Sequence, residues 1–170
     1  KEGYGQLGVE VYGGVLLNSW LDRDLGLAGR VFVEGTAGLE MRLVRLDRPL
    51  ARVPQLAIHL DREVNDKGLV LNRQEHLAPI WTQGAVEAAD LLALCAAELG
   101  VAAKSIVAHD LMLYDLTAPT LGGRHQEFLM SARLDDLAMC HAGIQALIAA
   151  APSAEDAAAL PLVALLDHEE

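Results

Sequence analysis

Apolar and polar residues alternate through the first part of the chain in a pattern typical of β-strands. In residues 30–46 (RVFVEGTAGLEMRLVRL), valines occupy alternate positions up to a glycine-flanked turn at 35–38, and apolar residues then alternate with charged ones. A period of two places successive side chains on opposite faces of a sheet. The stretch therefore predicts an antiparallel hairpin.

Apolar residues at short spacing predict three further strands, at residues 6–17 (QLGVEVYGGVLL), 54–60 (PQLAIHL) and 105–116 (SIVAHDLMLYDL). Residues 61–76 (DREVNDKGLVLNRQEH) are polar and rich in turn-forming residues, which predicts an exposed loop. We therefore predict that residues 1–118 form a β-rich domain in which most strands are antiparallel.

The pattern changes to a helical period later in the chain. Residues 85–99 (AVEAADLLALCAAEL) and 134–150 (LDDLAMCHAGIQALIAA) carry apolar residues at helical spacing, and Gly100 stands where a helix C-cap belongs. Residues 160–166 (LPLVALL) form a continuous apolar run, which predicts a strand buried on both faces, as in a parallel sheet. Residues 119–170 thus predict part of an α/β domain.

Composition and charge exclude some classes of partner. Of the 170 residues, 52% are hydrophobic, and the formal net charge is −11. Such a negative charge argues against binding to nucleic acid or to an anionic membrane surface, because both attract basic proteins. The sequence has neither an apolar run long enough for a membrane span nor the pattern of a signal peptide, so we predict neither. Metal cations remain compatible with this charge.

The two cysteines, Cys95 and Cys140, both lie in helix-like apolar stretches. Such positions predict buried thiols rather than a disulfide, which is typical of a protein in a reducing cytoplasm.

Acidic residues directly follow the last apolar run, where residues 165–170 have the sequence LLDHEE. In open α/β sheets, ligands bind beyond the carboxyl ends of the strands. Because adjacent side chains point in different directions, one carboxylate can bind a metal while its neighbour faces a water. Asp135, at the predicted start of the helix, is expected at the same edge and within reach of the cation that Glu170 would bind. This arrangement predicts metal-assisted hydrolysis.

The ligand types restrict the metal. Carboxylate oxygens alone favour Mg²⁺ or Mn²⁺, whereas carboxylates combined with imidazole also suit Zn²⁺ or Co²⁺.

Each candidate residue also has a structural interpretation. An acidic segment after a strand is often a solvated turn, and Asp135 fits the N-cap of a helix. His59, in the apolar segment LAIHL, fits a hydrogen-bonded core residue. Residues 20–25 (WLDRDL) fit a turn with local ion pairs. The residues by themselves leave both interpretations open.

Five segments occur in a fixed order along the chain: GVEVYGG (8–14), WLDRDLGLAGRV (20–31), LAIHL (56–60), EFLMSARLDDL (127–137) and LLDHEE (165–170). Together they resemble the aspartyl aminopeptidase family, the M18 metallopeptidases. The resemblance runs from Gly5 to Glu170 and is weaker at 61–104 and 151–159.

The resemblance implies an α/β metallopeptidase domain with a β-rich domain inserted into it. The inserted domain of the family mediates dimerisation and assembly, usually into a dodecamer. Residues 1–118 would correspond to this dimerisation domain, and residues 119–170 to part of the catalytic domain. We expect the protein to be cytoplasmic. The resemblance implies that it acts on peptides, preferably those with N-terminal Asp or Glu.

The resemblance also implies roles for individual residues. The family site holds two metal ions, typically Zn²⁺, with Mn²⁺ or Co²⁺ as possible replacements. Asp135 falls on the Asp that bridges both metals, Glu169 on the general base and Glu170 on a metal ligand. His59 falls on a histidine that reaches the active site of a neighbouring subunit and contacts substrate. Asp136 departs from the family pattern, because relatives commonly carry Asn there.

Other ligands of the family, an upstream His-x-Asp motif and a downstream Asp and His, have no counterpart in this sequence. We therefore expect the chain to be a piece of a longer protein, inactive by itself, that contributes part of a metal site. The alternative is a non-catalytic assembly or interaction module of a degenerate homologue.

Overall fold

The computed structural model describes residues 3–84, 89–150 and 160–166. The chain divides into two compact units, Lys1–Thr117 and Ala118–Glu170. Both units contain strands and helices, so the chain has the mixed α and β structure that the sequence predicts.

The first unit is mainly β-structure. Its described elements are β1 (Tyr4–Gln6), β2 (Leu25–Gly35), β3 (Gly38–Ala51), α1 (Val64–Lys67), β4 (Ile80–Gln83), α2 (Ala89–Leu99) and β5 (Ile106–Asp115). Short 3-10 helices precede β2 and β5, at Leu17–Trp20 and Ala103–Ser105. The second unit contains β6 (Thr120–Gly122), β7 (Phe128–Met130) and α3 (Leu134–Ala150).

The predicted hairpin is confirmed as β2 and β3, which are antiparallel and meet at the pair Gly35 and Gly38. The strand predicted at 105–116 is confirmed as β5, which pairs antiparallel with the other edge of β2. The strand order is therefore β3-β2-β5, and β1 and β4 form a separate antiparallel pair.

Helix α2 packs on one face of the three-stranded sheet. The core of buried side chains there comprises Leu27, Val31, Val33, Val44, Leu46, Cys95, Ala96 and Ile106. Cys95 is fully buried and has a free thiol, as predicted, and burial raises the pKa of that thiol. The helix ends at Leu99, and Gly100 after it has a φ of 66°, the left-handed conformation of a helix C-cap.

A second cluster of buried side chains lies at the end of the sheet where β2 begins and β3 ends. It comprises Leu21, Leu25, Ala51, Val53 and Leu77, and both tryptophans pack against it. This cluster holds the chain at two points. One is Leu21, directly before the turn at Asp22, and the other is Val53, directly before the segment 54–60.

The other face of the sheet is open. The register places Arg30 of β2 between Leu43 of β3 and Asp110 of β5, and these side chains share the face opposite the core. Exposed apolar residues on this face, with their exposed fractions, are Leu39 (65%), Met41 (52%), Leu43 (73%) and Met112 (44%). We call this surface the open face.

Two predicted strands of the first unit are wrong. In residues 6–17, only Gln6 belongs to a strand; Gly13 has a φ of 72°, which a regular strand does not allow, and Leu7 and Val11 pack against the second cluster instead. Residues 54–60 form an exposed loop that ends in a turn, where Leu60 and Asp61 donate backbone hydrogen bonds to the carbonyl of Ala57. These local bonds replace the ladder bonds of a strand.

The exposed loop predicted at 61–76 is largely confirmed, although it includes the four-residue helix α1. In the second unit, β6 and β7 pair antiparallel and form a short hairpin. A helix within 134–150 is confirmed as α3, although Asp135 and Asp136 near its start have non-helical backbone angles.

Residues 160–166 form no strand, and most of their side chains are exposed, so the predicted buried strand is wrong for this chain. A strand needs a neighbouring strand to bond its backbone groups. No strand within the described part of the chain pairs with this segment.

Candidate functional site

Asp135 lies at an irregular entry to α3. Arg133 has a φ of 59°, and Asp135 and Asp136 have non-helical backbone angles, so regular helix begins at Leu137. The backbone N–H of Leu137 donates to the carbonyl of Arg133 at 3.2 Å and closes the first turn. The peptide bond between Asp135 and Asp136 is cis. Regular helix therefore starts after both aspartates, at Leu137 instead of Leu134, where the pattern began.

The two aspartates of this entry differ in their contacts. The Cys140 thiol, one turn along the helix, donates to Oδ1 of Asp136 at 3.5 Å. Partial burial and this carboxylate raise the pKa of the Cys140 thiol, so it stays protonated. Asp135 is exposed, and its carboxylate has no hydrogen bond to any described residue. The N-cap interpretation of Asp135 requires such a bond, and the described residues supply none.

The exposed Asp135 carboxylate is open to a cation, and oxygen donors of this type bind Zn²⁺ at about 2.0–2.2 Å. The other predicted members of the site, Glu169 and Glu170, lie outside the described residues. Among residues 3–84, 89–150 and 160–166, no three His, Cys, Asp or Glu side chains are grouped closely enough to hold a metal. The predicted roles of Asp135, Glu169 and Glu170 stay predictions.

His59 belongs to the first unit and is exposed within the turn of the 54–60 loop. The core interpretation of this histidine is therefore wrong. The apolar side chains around it are exposed as well: Leu56 (61%), Ile58 (46%) and Leu60 (74%). An exposed imidazole on a protruding loop is accessible to a partner molecule, and its predicted contact with substrate stays a prediction.

The base of this loop is held by the segment WLDRDL. Asp22 has a φ of 53°, and its N–H donates to the carbonyl of Val53 at 2.8 Å, while its Oδ1 accepts the N–H of Gln55 at 3.2 Å. The predicted turn is confirmed. Its ion pairs are not local, because Arg23 pairs with Asp115 at 3.2 Å and Asp24 with Arg52 at 2.7 Å. Sequence pattern gave no signal for these long-range contacts.

These charged residues line an open cleft of about 510 Å³ in the first unit. Its two arginines, Arg23 and Arg52, both pair with carboxylates. The described lining of the cleft therefore offers a substrate carboxylate no unpaired guanidinium, and the predicted preference for acidic N-terminal residues is not assigned to this cleft.

The family model for the aminopeptidase I zinc metalloproteases (M18) matches residues 1–170, the whole chain. This chain belongs to the M18 family. The family resemblance noted in the sequence is thus confirmed.

Individual M18 proteins give the same result. The chain is 51% identical over 169 residues to a probable M18 family aminopeptidase 2 of Streptomyces avermitilis, covering 99% of this chain and 38% of that protein. It is 42% identical over 198 residues to aspartyl aminopeptidase 4 of Saccharomyces cerevisiae, covering 100% of this chain and 40% of that protein.

A solved structure of the mApe1 dodecamer of Saccharomyces cerevisiae also matches, with a TM-score of 0.65 and 29% identity. The match covers 92% of this chain and 34% of that one. The chain thus spans about 38% of the length of the first curated M18 relative. In the part of this M18 chain that the structure describes, no helix is long and apolar enough to cross a membrane.

Proposed function

We propose that the protein containing this M18 chain is a metal-dependent aminopeptidase that removes N-terminal residues from peptides. The observation that carries the proposal is the match of the zinc metalloprotease family model to residues 1–170. The 51% identity to a probable M18 aminopeptidase supports it further. Because this chain covers 38% of that relative, the activity is proposed for the whole protein.

Two Zn²⁺ ions, held in part by Asp135 and Glu170, are the proposed cofactor, with Mn²⁺ or Co²⁺ as replacements. When bound, the metal would supply Lewis-acid polarisation of the scissile carbonyl and lower the pKa of water. The exposed position of Asp135 at the start of α3 supports its role, since its carboxylate is accessible to a cation. Glu169 takes the proton of the attacking water and returns it to the leaving amine.

The proposed substrates are peptides with N-terminal Asp or Glu. The 42% identity to aspartyl aminopeptidase 4 of Saccharomyces cerevisiae supports this preference. His59 contacts the substrate in a neighbouring subunit, a role that its exposure on the 54–60 loop supports.

The proposed state is a cytoplasmic homo-oligomer, a dimer or a dodecamer, in which residues 1–118 mediate assembly. The relative mApe1 forms a dodecamer. The open face supports association too, because its exposed apolar side chains form the kind of surface that is typical of protein interfaces.

Hydrolysis of aspartyl-anilide by the whole protein, compared with leucyl-anilide, tests the proposal. We expect faster hydrolysis of the aspartyl substrate, loss of activity with a chelator and recovery with Zn²⁺. A folded, metal-free protein that hydrolyses neither substrate at any added Zn²⁺ concentration would favour the degenerate assembly module instead.

A further inference from the structure

We infer that Asp22 is a positioning residue for His59: it fixes the base of the 54–60 loop, so that the imidazole reaches the substrate. The inference rests on the proposed contact of His59 with substrate. Asp22 acts through the loop, and no direct contact with substrate is assigned to it.

Two hydrogen bonds join Asp22 to the segment where the loop begins. Its backbone N–H donates to the carbonyl of Val53 at 2.8 Å, and its Oδ1 accepts the backbone N–H of Gln55 at 3.2 Å. Pro54, between these residues, has no N–H, so Gln55 supplies the first backbone donor of the loop after Val53. One residue therefore fixes the backbone on both sides of Pro54.

This attachment point is itself fixed to the core. Leu21 and Val53 form a parallel bridge, and both are buried, with exposed fractions of 8% and 3%. Beside them, Arg52 exchanges backbone hydrogen bonds with Ile80, at 2.9 Å in each direction. The backbone is thus fixed up to Val53. The hydrogen bond from Gln55 to Asp22 extends the fixed backbone by two residues.

Beyond Gln55 the described backbone hydrogen bonds of the loop are local, such as the turn from Ala57 to Leu60 at 2.8 Å. The side chains of Leu56, Ile58 and Leu60 are exposed. Because these side chains do not pack against the core, the direction in which the loop leaves its base determines where His59 lies. A shift of about 1 Å in a contacting group is enough to slow a reaction strongly.

The backbone of Asp22 identifies the informative substitutions. Its φ of 53° is left-handed, a conformation that Asn and Gly also adopt readily and Ala does not. Asp22→Asn keeps both the conformation and an Oδ1 acceptor. Asp22→Gly keeps the conformation but removes the acceptor. Comparing the two variants distinguishes the effect of the hydrogen bond to Gln55 from the effects of backbone strain and of charge.

The test measures kcat and KM for aspartyl-anilide with the whole protein. We expect Asp22→Gly to lower kcat/KM roughly fivefold to tenfold, the weight of one such hydrogen bond, and Asp22→Asn to stay within about twofold. The control is Asp66→Gly, which removes another exposed carboxylate, from α1, and is expected to be near wild type. Light scattering of each variant verifies that the oligomer is intact.

A double-mutant cycle with His59→Ala tests whether Asp22→Gly lowers activity through His59. If Asp22 acts through His59, Asp22→Gly causes no further loss in the His59→Ala background. An equal loss in both backgrounds, a normal Asp22→Gly, or an Asp22→Asn as slow as Asp22→Gly each overturns the inference. If His59→Ala alone is normal, the proposed role of His59 is wrong as well, so the two failures are distinguishable.

Discussion

The hydroxyl of Tyr114 on β5 donates a hydrogen bond to Oδ1 of Asp47 on β3, across the open face of the sheet. Arg45 completes the group: its Nε lies 2.9 Å from the same oxygen, and its guanidinium carbon lies 5.9 Å from the centroid of the Tyr114 ring. The hydrogen bond from Tyr114, and then the one from Arg45, lower the pKa of Asp47 below its ordinary value of 3.8.

This lowered pKa predicts a stability difference that depends on pH. Because the folded state favours ionised Asp47, this carboxylate contributes to the free energy of unfolding above about pH 4. The contribution is lost as the pH falls through the pKa of Asp47 in the folded state. We expect Asp47→Asn to lower the melting temperature slightly near pH 7 and much less near pH 2.5. Thermal unfolding over this range, with Asp66→Asn as an exposed control, is the measurement. An equal difference at both pH values would contradict the expectation.

His59→Ala should reduce turnover without reducing stability. The side chain is exposed, so its removal leaves neither a cavity nor an unpaired buried group, and we expect a change in unfolding free energy within about 0.5 kcal/mol. Activity and thermal melting are measured on the same preparation of the whole protein. A large drop in melting temperature with normal activity per folded molecule would show that the histidine is structural.

The carboxylates of the proposed metal site should separate into two classes. Glu169→Gln should keep its metal, because the proposed base binds a water, and should lose turnover by roughly 10²–10⁴. Glu170→Gln and Asp135→Asn should lose metal together with activity. Metal content by mass spectrometry, beside hydrolysis of aspartyl-anilide, distinguishes the classes. Normal hydrolysis by Glu169→Gln would rule out its role as base.

The elements that could be predicted from sequence are those determined by local pattern. The hairpin of β2 and β3 has a period of two, a glycine turn and an adjacent partner strand, so pattern and pairing agree. Helix α2 likewise ends just before Gly100, where the left-handed cap requires little besides a glycine. The apolar run at 160–166 lacks a described partner, and hydrophobicity alone did not make it a strand.

The site could be predicted only in part for a related physical reason. The sequence placed Asp135 at the start of a helix, and its role as a ligand stays a prediction. The irregular entry at Asp135 and Asp136 left no trace in the apolar period. The bond between Asp22 and Gln55 joins residues 33 positions apart, so no local pattern contains it. Contacts of this kind depend on the packing that brings Leu21 beside Val53.

Self-association should depend on the open face. Leu43 lies on it and is 73% exposed, so Leu43→Lys adds charge to the proposed interface with little cost to the fold of a subunit. We expect a lower oligomer mass by light scattering at micromolar concentration. Val70→Lys, at a residue that is 83% exposed in the 61–76 loop, is the matched control and should keep the wild-type mass. A strictly monomeric wild-type protein would remove the proposal altogether.

Two leucines in neighbouring strands of the same hairpin allow the two faces of the sheet to be compared with identical chemistry. Leu27 on β2 is 3% exposed and packs in the core beneath α2, whereas Leu43 on β3 is 73% exposed on the open face. Leu27→Ala removes buried methyl groups and leaves a cavity, so we expect a loss of about 2–5 kcal/mol in unfolding free energy.

Leu43→Ala removes the same atoms from a surface that water already reaches, so in a dissociated subunit the loss should stay within about 0.5 kcal/mol. Urea unfolding at a low protein concentration measures both variants. At a higher concentration, any added loss in Leu43→Ala reports the interface, because association stabilises the folded state by an amount that grows with the logarithm of the subunit concentration. A loss at Leu43 that is large and independent of concentration would mean that the open face is packed within the subunit itself.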